Sequence, residues 1–334
     1  MRAIAVGAAL LIAACSTPST SATSPSPSPT ASAVASPAEA LCKLPVYWEA
    51  ETPSGIEIRT AFMSVPDGAV SPVTALTPLP FVFGAVFDGG SNTWLAVDRS
   101  QLSPDGKRYV YWKGNPAESE IHVVDVATHA DRTIYSGPQL YIPIAFTSDT
   151  IYVVHAVNPR QGVFELLFIL DPAGGGTPEL ATASTDRHMY QWGWVLISDG
   201  AAWGIDYRVD GNKYIYSVLR LDLSTGQVTT WFEGPADDLT WPLGTDADHR
   251  LYVQGVNTND LWRLTSPGQA EQLANPGPIG LDDYIGGPTT MFSDPHGTWF
   301  AGRGGVWLYA ENAPPKQFSS GLPTDEVYPA GPCV

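Results

Sequence analysis

One motif returns along this chain at nearly constant spacing, and a repeat of that length admits few folds. A turn rich in Asp and Gly leads into a short β-rich run, first as Ser103-Pro-Asp105-Gly106-Lys-Arg-Tyr-Val-Tyr and then as Ser148-Asp149-Thr-Ile-Tyr-Val-Val. It recurs as Ser198-Asp199-Gly200-Ala-Ala-Trp, Asp246-Ala-Asp248-His249-Arg-Leu-Tyr-Val and Asp294-Pro-His296-Gly297-Thr-Trp-Phe. With Asp105, Asp149, Asp199, Asp248 and Gly297 as markers, the spacings are 44, 50, 49 and 49 residues. A second element, strand, tight turn and strand, closes each unit around Asp125, Asp171, Asp222, Trp262 and Trp307. From residue 41 onward there is no convincing amphipathic helix. Short β-rich runs punctuated by Gly, Pro, Asn and Asp predict an antiparallel meander.

Each unit therefore holds four strands, a to d, in the length of a propeller blade. Leucine-rich and similar solenoids have shorter units and fit badly. A sixth unit can be assembled from the two ends of the chain. The C-terminal Val327-Tyr-Pro-Ala-Gly-Pro aligns with the innermost strands Tyr141-Ile-Pro-Ile-Ala-Phe, Trp192-Gly-Trp-Val-Leu and Trp241-Pro-Leu-Gly. Leu44–Ala50, Ile56–Val65 and Ala69–Leu76 supply its other three strands. The expected fold is thus all-β: a six-bladed β-propeller of four-stranded antiparallel blades over residues 41–334. It is closed by a blade shared between N- and C-terminal strands, so that no long sheet edge is left exposed.

The N-terminus reads as an export signal of residues 1–14. Arg2 is followed by twelve small or apolar residues, Ala3 to Ala14, too few to span a bilayer as a helix. The run Leu11-Ile12-Ala13-Ala14-Cys15 resembles the bacterial lipobox. That resemblance implies cleavage before Cys15 and its diacylation, an anchor that holds a protein stably on a membrane. The competing reading is an ordinary secretory signal with a chance cysteine. Residues 16–40 are almost entirely Ser, Thr, Pro and Ala and cannot bury an apolar face, so they are expected to form a solvated tether. With Cys15 carrying lipid, Cys42 and Cys333 remain of the three cysteines. They are expected to pair across the two ends of the domain; two free thiols are the alternative.

Charged residues make up only 15% of the chain, and the net charge is -17. A negative field of that size disfavours nucleic acid and basic docking on anionic lipid. Gly-x-Gly-x-x-Gly, Cys-x-x-Cys, His-Glu-x-x-His and Gly-x-Ser-x-Gly motifs are absent. The Ser-Pro-Asp-Gly-Lys turn resembles repeats of TolB-type propellers. Asp294-Pro-His-Gly-Thr-Trp-Phe-Ala-Gly-Arg-Gly-Gly-Val-Trp-Leu-Tyr is similar to blades of streptogramin-lyase-like (NHL-type) propellers. Both resemblances specify blades and leave the chemistry open. A sialidase Asp-box is excluded, because residues 293–299 read Asp-x-x-Gly where that motif needs Asp-x-Gly. The turn aspartates Asp105, Asp199 and Asp294 are read as structural, since Asp and Gly belong in tight turns.

Antiparallel order puts the d-to-a and b-to-c loops on one face, here called upper, and the a-to-b turns on the lower face. Four d-to-a loops carry acids a few residues before an aromatic: Asp186-Arg187-His188 before Tyr190 and Trp192, Asp237-Asp238 before Trp241, Asp282-Asp283 before Tyr284, and Asp325-Glu326 before Tyr328. Trp94 and Tyr141 occupy comparable places in the other two units. The candidate ligand-binding residues are therefore Asp186, His188, Trp192, Asp237, Trp241, Asp282, Tyr284, Asp325 and Tyr328, against the plain alternative of solubility charge and aromatic core. His155 with Arg160 is a further upper-face pair. No residue is assigned a catalytic role. The leading expectation is a lipid-anchored, extracytoplasmic, monomeric binding module for a protein or for a small cationic or sugar-like ligand. One alternative is a lyase or lactone hydrolase of the six-bladed type, whose acidic rim would hold a divalent cation such as calcium. Another is a structural envelope component acting through a protein partner, as TolB-like proteins do.

Overall fold

The computed structural model describes residues 42–334, except 54, 77–83, 116–117, 159–162, 183–192, 259, 274–290, 304, 312, 320 and 323–325. All described residues lie within one compact unit, Glu39–Val334. The structure is all-β. Its helical content among the described residues is one 3-10 turn, Arg99–Gln101, and no described helix is long and apolar enough to cross a membrane.

Three four-stranded antiparallel sheets repeat the same consecutive order. They consist of Tyr141–Phe146, Ile151–Asn158, Val163–Leu170 and Glu179–Leu180; of Gly193–Ser198, Ala201–Asp210, Lys213–Asp222 and Val228–Glu233; and of Thr240–Thr245, Leu251–Gly255, Leu261–Ser266 and Gln269–Leu273. Within each repeat a tight turn brings back a β-rich run of alternating side chains, so each strand pairs with its sequence neighbour. Adjacent sheets then pack face to face. Trp203 and Val218 of the second sheet share one cluster with Leu251, Val253, Trp262 and Leu264 of the third, and all six are nearly or fully buried.

The two ends of the chain meet as the repeat alignment expects. Cys42–Thr52 pairs with Gly55–Val65 along its whole length, and Gly55–Val65 pairs with Thr74–Leu76. Glu326–Pro329 lies on the other side of Cys42–Thr52, with Val46 opposite Pro329 and Tyr47 opposite Tyr328. The same C-terminal strand also pairs with Gly297–Arg303, through Gly302 and Val327. The last repeat, Met291–Asp294, Gly297–Arg303, Gly305–Tyr309 and Lys316–Ser319, is thereby continuous with the terminal strands in one eight-stranded sheet. Cys42 and Cys333 form a disulfide with Cα atoms 5.6 Å apart. Two backbone hydrogen bonds between Lys43 and Val334 lie beside it.

One repeat departs from the four-strand expectation. Arg108–Asn115, Glu118–Asp125 and Asp131–Gly137 form a three-stranded sheet, and its innermost position is a single bridge between Leu102 and Tyr109. Upstream, Val86–Asp88 and Thr93–Leu95 pair as a separate hairpin. The cause is local. The Asp98 side chain accepts from Ser100 N, while Gln101 reaches back to the Asp98 backbone, a capping box that coils residues 99–101 where a strand would run.

Carboxylates of the Asp-Gly motifs make turns. Asp105 accepts from Lys107 N and Ser103 Oγ, and Asp294 accepts from His296 N. Gly297 has φ +138°, and a Cβ there would collide with the Tyr309 carbonyl, so only glycine fits the end of that turn.

Candidate functional site

Side-chain contacts establish which loops share a face. On the lower face, the a-to-b turns of successive repeats touch: Arg108 Nη2 donates to Ser148 O at 3.5 Å, and the His249 ring bonds the Asp199 carboxylate. The disulfide belongs to this face, because Cys333 N donates to Asp294 Oδ2 at 3.0 Å. On the upper face, the d-to-a loop at 237–238 ties two b-to-c loops together. Asp237 Oδ1 accepts from Tyr214 N at 2.9 Å, and Asp237 N donates to Tyr214 O at 2.7 Å. Asp238 reaches the other way, accepting from Asn257 N at 2.8 Å and Thr258 Oγ1 at 2.7 Å.

The two adjacent acids thus have different parts. Asp238 is buried and fastens neighbouring repeats. Asp237 is exposed and holds a left-handed φ of +62°, which a short polar side chain tolerates. Trp241 is half-buried against the cluster containing Leu243, Tyr252, Leu261 and Met291. Tyr328 is buried, stacks on Tyr47 with ring centroids 5.0 Å apart, and donates its hydroxyl to Glu326. Burial pushes the Glu49 carboxyl above its ordinary value, and the neighbouring Glu326 pushes it further the same way. Tyr141 is buried, and its ring lies 5.3 Å from that of the half-buried His155. Trp94 is packed at the edge of the same cluster as Trp241. Asp186, Arg187, His188, Tyr190, Trp192, Asp282, Asp283, Tyr284, Asp325, Arg160 and the lipidation site Cys15 lie outside the described residues.

The structure adds an aromatic patch that the loop-by-loop reading missed. The hairpin Ala201–Asp210 and Lys213–Asp222 runs unbroken for ten residues in each strand and carries its tip out on the upper face. Tyr207 opposes Tyr216, and Val209 opposes Tyr214, so these four side chains share one face of the ribbon. Their exposures at the tip are high for apolar groups: Val209 61% and Tyr214 48%. The three tyrosine rings lie 5.6–6.3 Å from one another. The patch adjoins Asp237 through the Tyr214 backbone. Its sequence signal is the period-two spacing of Tyr207 and Val209 before, and of Tyr214 and Tyr216 after, Asp-Gly-Asn, legible as a surface only once the strands are known to outrun their neighbours.

A polar cleft of about 480 Å³ opens on the lower face between the last two complete repeats. Asp246, nearly buried, holds its wall by accepting from Arg250 Nε at 2.7 Å and the Tyr252 hydroxyl at 3.1 Å. Burial, then the Asp246 charge, raises the Tyr252 hydroxyl above its ordinary value. His296 stands at the cleft's rim beside the disulfide: one ring nitrogen and both sulfur atoms lie within 4.8 Å of one another.

No family model matches this sequence, and no curated protein matches it. Solved structures do match in shape. A functionally unknown protein from Desulfotomaculum acetoxidans superposes with a TM-score of 0.54 at 12% identity, over 86% of this chain and 99% of that one. A chain of a nidogen/laminin complex gives 0.47 at 11% identity, covering 87% and 100%. A TolB from Agrobacterium tumefaciens, described as putative, gives 0.44 at 13% identity, covering 88% and 94%. At such identities the likeness speaks to the fold alone, an all-β arrangement of repeated antiparallel sheets.

Proposed function

We propose that this chain is a lipid-anchored, extracytoplasmic six-bladed β-propeller that serves as a binding module, presenting its upper face to a ligand. The observation that carries the reading is the projecting hairpin, with Val209 and Tyr214 exposed and Tyr207 and Tyr216 half-buried on one side beside the Asp237 carboxylate. An apolar aromatic surface held in water costs free energy, and a ring face next to a fixed carboxylate suits a sugar or an organic cation. Pairing of Glu326–Pro329 with Cys42–Thr52 supports the sixth, shared blade. The lipobox at Cys15 and the tether behind it support the anchor. The described chain begins at Cys42 on the lower face, so a tether leaving there would point the upper face away from the membrane. Asp186, His188, Trp192, Asp282, Tyr284 and Asp325 would complete the rim in the neighbouring d-to-a loops.

Ligand screening against glycans and cationic metabolites, with Tyr214→Ala and Asp237→Asn as paired variants, tests the reading. Both variants should keep the wild-type melting temperature within about 1 °C and weaken the same ligand tenfold or more. Unchanged affinity in both would return the patch to ordinary surface. Replacing Cys15 with Ala should move the protein from membrane to soluble fractions; retention after carbonate washing would remove the anchor. A second reading, a divalent-cation-dependent lyase or hydrolase, is favoured by the closeness of Glu49 and Glu326. Calorimetric titration with calcium separates the two, since micromolar binding lost in Glu49→Gln supports the second.

A further inference from the structure

The lower face holds a group of side chains that the binding reading leaves unused: Cys42, Cys333 and His296. Their donor atoms lie within 4.8 Å of one another, gathered from the start of one strand, the end of the chain and an a-to-b turn. A tetrahedral zinc site, with Zn–S of about 2.3 Å and Zn–N of about 2.0–2.1 Å, spaces its donors roughly 3.5–3.8 Å apart. Once the S–S bond is broken the two sulfurs must part to that spacing while the imidazole nitrogen closes on them by about an ångström at most, movements within the reach of side-chain rotation.

We propose that reduction of the Cys42–Cys333 disulfide turns this place into a binding site for a thiophilic divalent cation of the zinc class, held by Cys42 Sγ, Cys333 Sγ and His296. The backbone is organised for it without the S–S bond. One Asp294 carboxylate holds both His296, through its N–H at 2.8 Å, and Cys333, through its N–H at 3.0 Å. Lys43 and Val334 exchange two backbone hydrogen bonds of 2.9 and 3.0 Å, which keep the Cys42 and Cys333 segments in register. A dithiol reductant supplies two electrons and two protons; its thiolate attacks one sulfur, a second exchange releases the oxidised dithiol, and two cysteine thiols remain. Metal binding then displaces both thiol protons, leaving thiolate ligands. Two thiolates and one neutral imidazole make a soft donor set that selects zinc-like ions over calcium or magnesium, with the fourth position open to water. The adjoining cleft is the entry path for ion and reductant. The consequence is an exchangeable closure: the termini are stapled by a disulfide when oxidised and by a metal when reduced.

The test uses the whole chain, reduced with a phosphine under anaerobic conditions and titrated with Co²⁺ alone. One ion per chain should bind with thiolate-to-cobalt charge-transfer absorption, be displaced by Zn²⁺, and give no such band in the oxidised protein. His296→Gln should weaken binding tenfold or more, and Zn²⁺ should raise the melting temperature of the reduced wild type by more than that of the reduced variant. Absence of the charge-transfer band in folded, reduced protein overturns the proposal. So does equal affinity in His296→Gln, or unfolding on reduction that Zn²⁺ fails to restore.

Discussion

Joining the two ends of the domain covalently should act mostly on the unfolded chain, and the size of the effect can be worked from the loop it closes. Cys42 and Cys333 are 291 residues apart in sequence. The chain-entropy expression assigns such a loop about 19 cal/mol/K, or about 5.7 kcal/mol at 25 °C, while measured disulfides centre on roughly 2–4 kcal/mol. The lower range is expected here, because a chain of this length keeps residual compactness when unfolded. Unfolding entropy of about 2.1 cal/mol/K per residue makes each kcal/mol worth roughly 1.6 °C for a domain this size, so a loss of about 2–5.7 kcal/mol lowers Tm by roughly 3–9 °C. The perturbation is the double variant Cys42→Ser/Cys333→Ser, measured by calorimetry and by urea unfolding in the presence of a chelator. The folded state should persist, since the strand Cys42–Thr52 keeps its eleven-residue pairing with Gly55–Val65 and its contact with Glu326–Pro329. The urea m-value should rise, because the uncrosslinked chain exposes more surface on unfolding. A double variant melting within 1 °C of wild type, with the wild-type thiols shown to be fully oxidised, would refute the reasoning.

Three further outcomes are expected. Asp294→Ala removes an acceptor shared by His296 N, Cys333 N and the Trp299 indole, the last on a fully buried ring, and should cost about 3 kcal/mol or more by chemical denaturation; a loss under about 1 kcal/mol would show that water replaces the carboxylate. Gln254 is fully buried, and neither atom of its amide has a hydrogen-bond partner among the described residues, so Gln254→Leu should hold or raise stability by about 1–2 kcal/mol; a clear drop in Tm would mean the amide is satisfied. Hydrogen bonds hold the carboxyls of Asp105, Asp125 and Asp222 below their usual range, so their contribution is present above the unfolded carboxylate value near pH 4 and is lost as pH falls further. Burial raises Tyr47 and Tyr252, so that contribution is present below the unfolded tyrosine value near pH 10 and lost above it. Tm should therefore form a plateau between about pH 4 and 10; a maximum confined to either end would contradict the assignment.

Much of this protein was legible in one dimension because its energetics are local and repeated. Asp-Gly turns fix where the chain reverses, alternating side chains fix which face of each strand is apolar, and a period near 49 residues repeats both. The pairing of the terminal strands followed from the same alignment, and the disulfide from counting cysteines. The Asp98 capping box escaped notice, because a side chain returning to its own backbone competes with strand pairing over four residues, too short to disturb the repeat.

What the sequence could not apportion was the role of each acid. Asp237 and Asp238 are neighbours of identical chemistry, yet one lies exposed beside a tyrosine patch and the other is buried between repeats. That difference arises from which b-to-c loop each side chain faces. The tyrosine patch depends likewise on how far one hairpin outruns the next, and the approach of His296 to Cys42 and Cys333 on how the Asp294 turn, the end of the chain and the start of the first strand meet. Period and turn chemistry act between residues close in the chain, so the sequence by itself determined the repeated sheets and their order. Burial and juxtaposition depend on distances across the folded domain, and only the tertiary structure decided them.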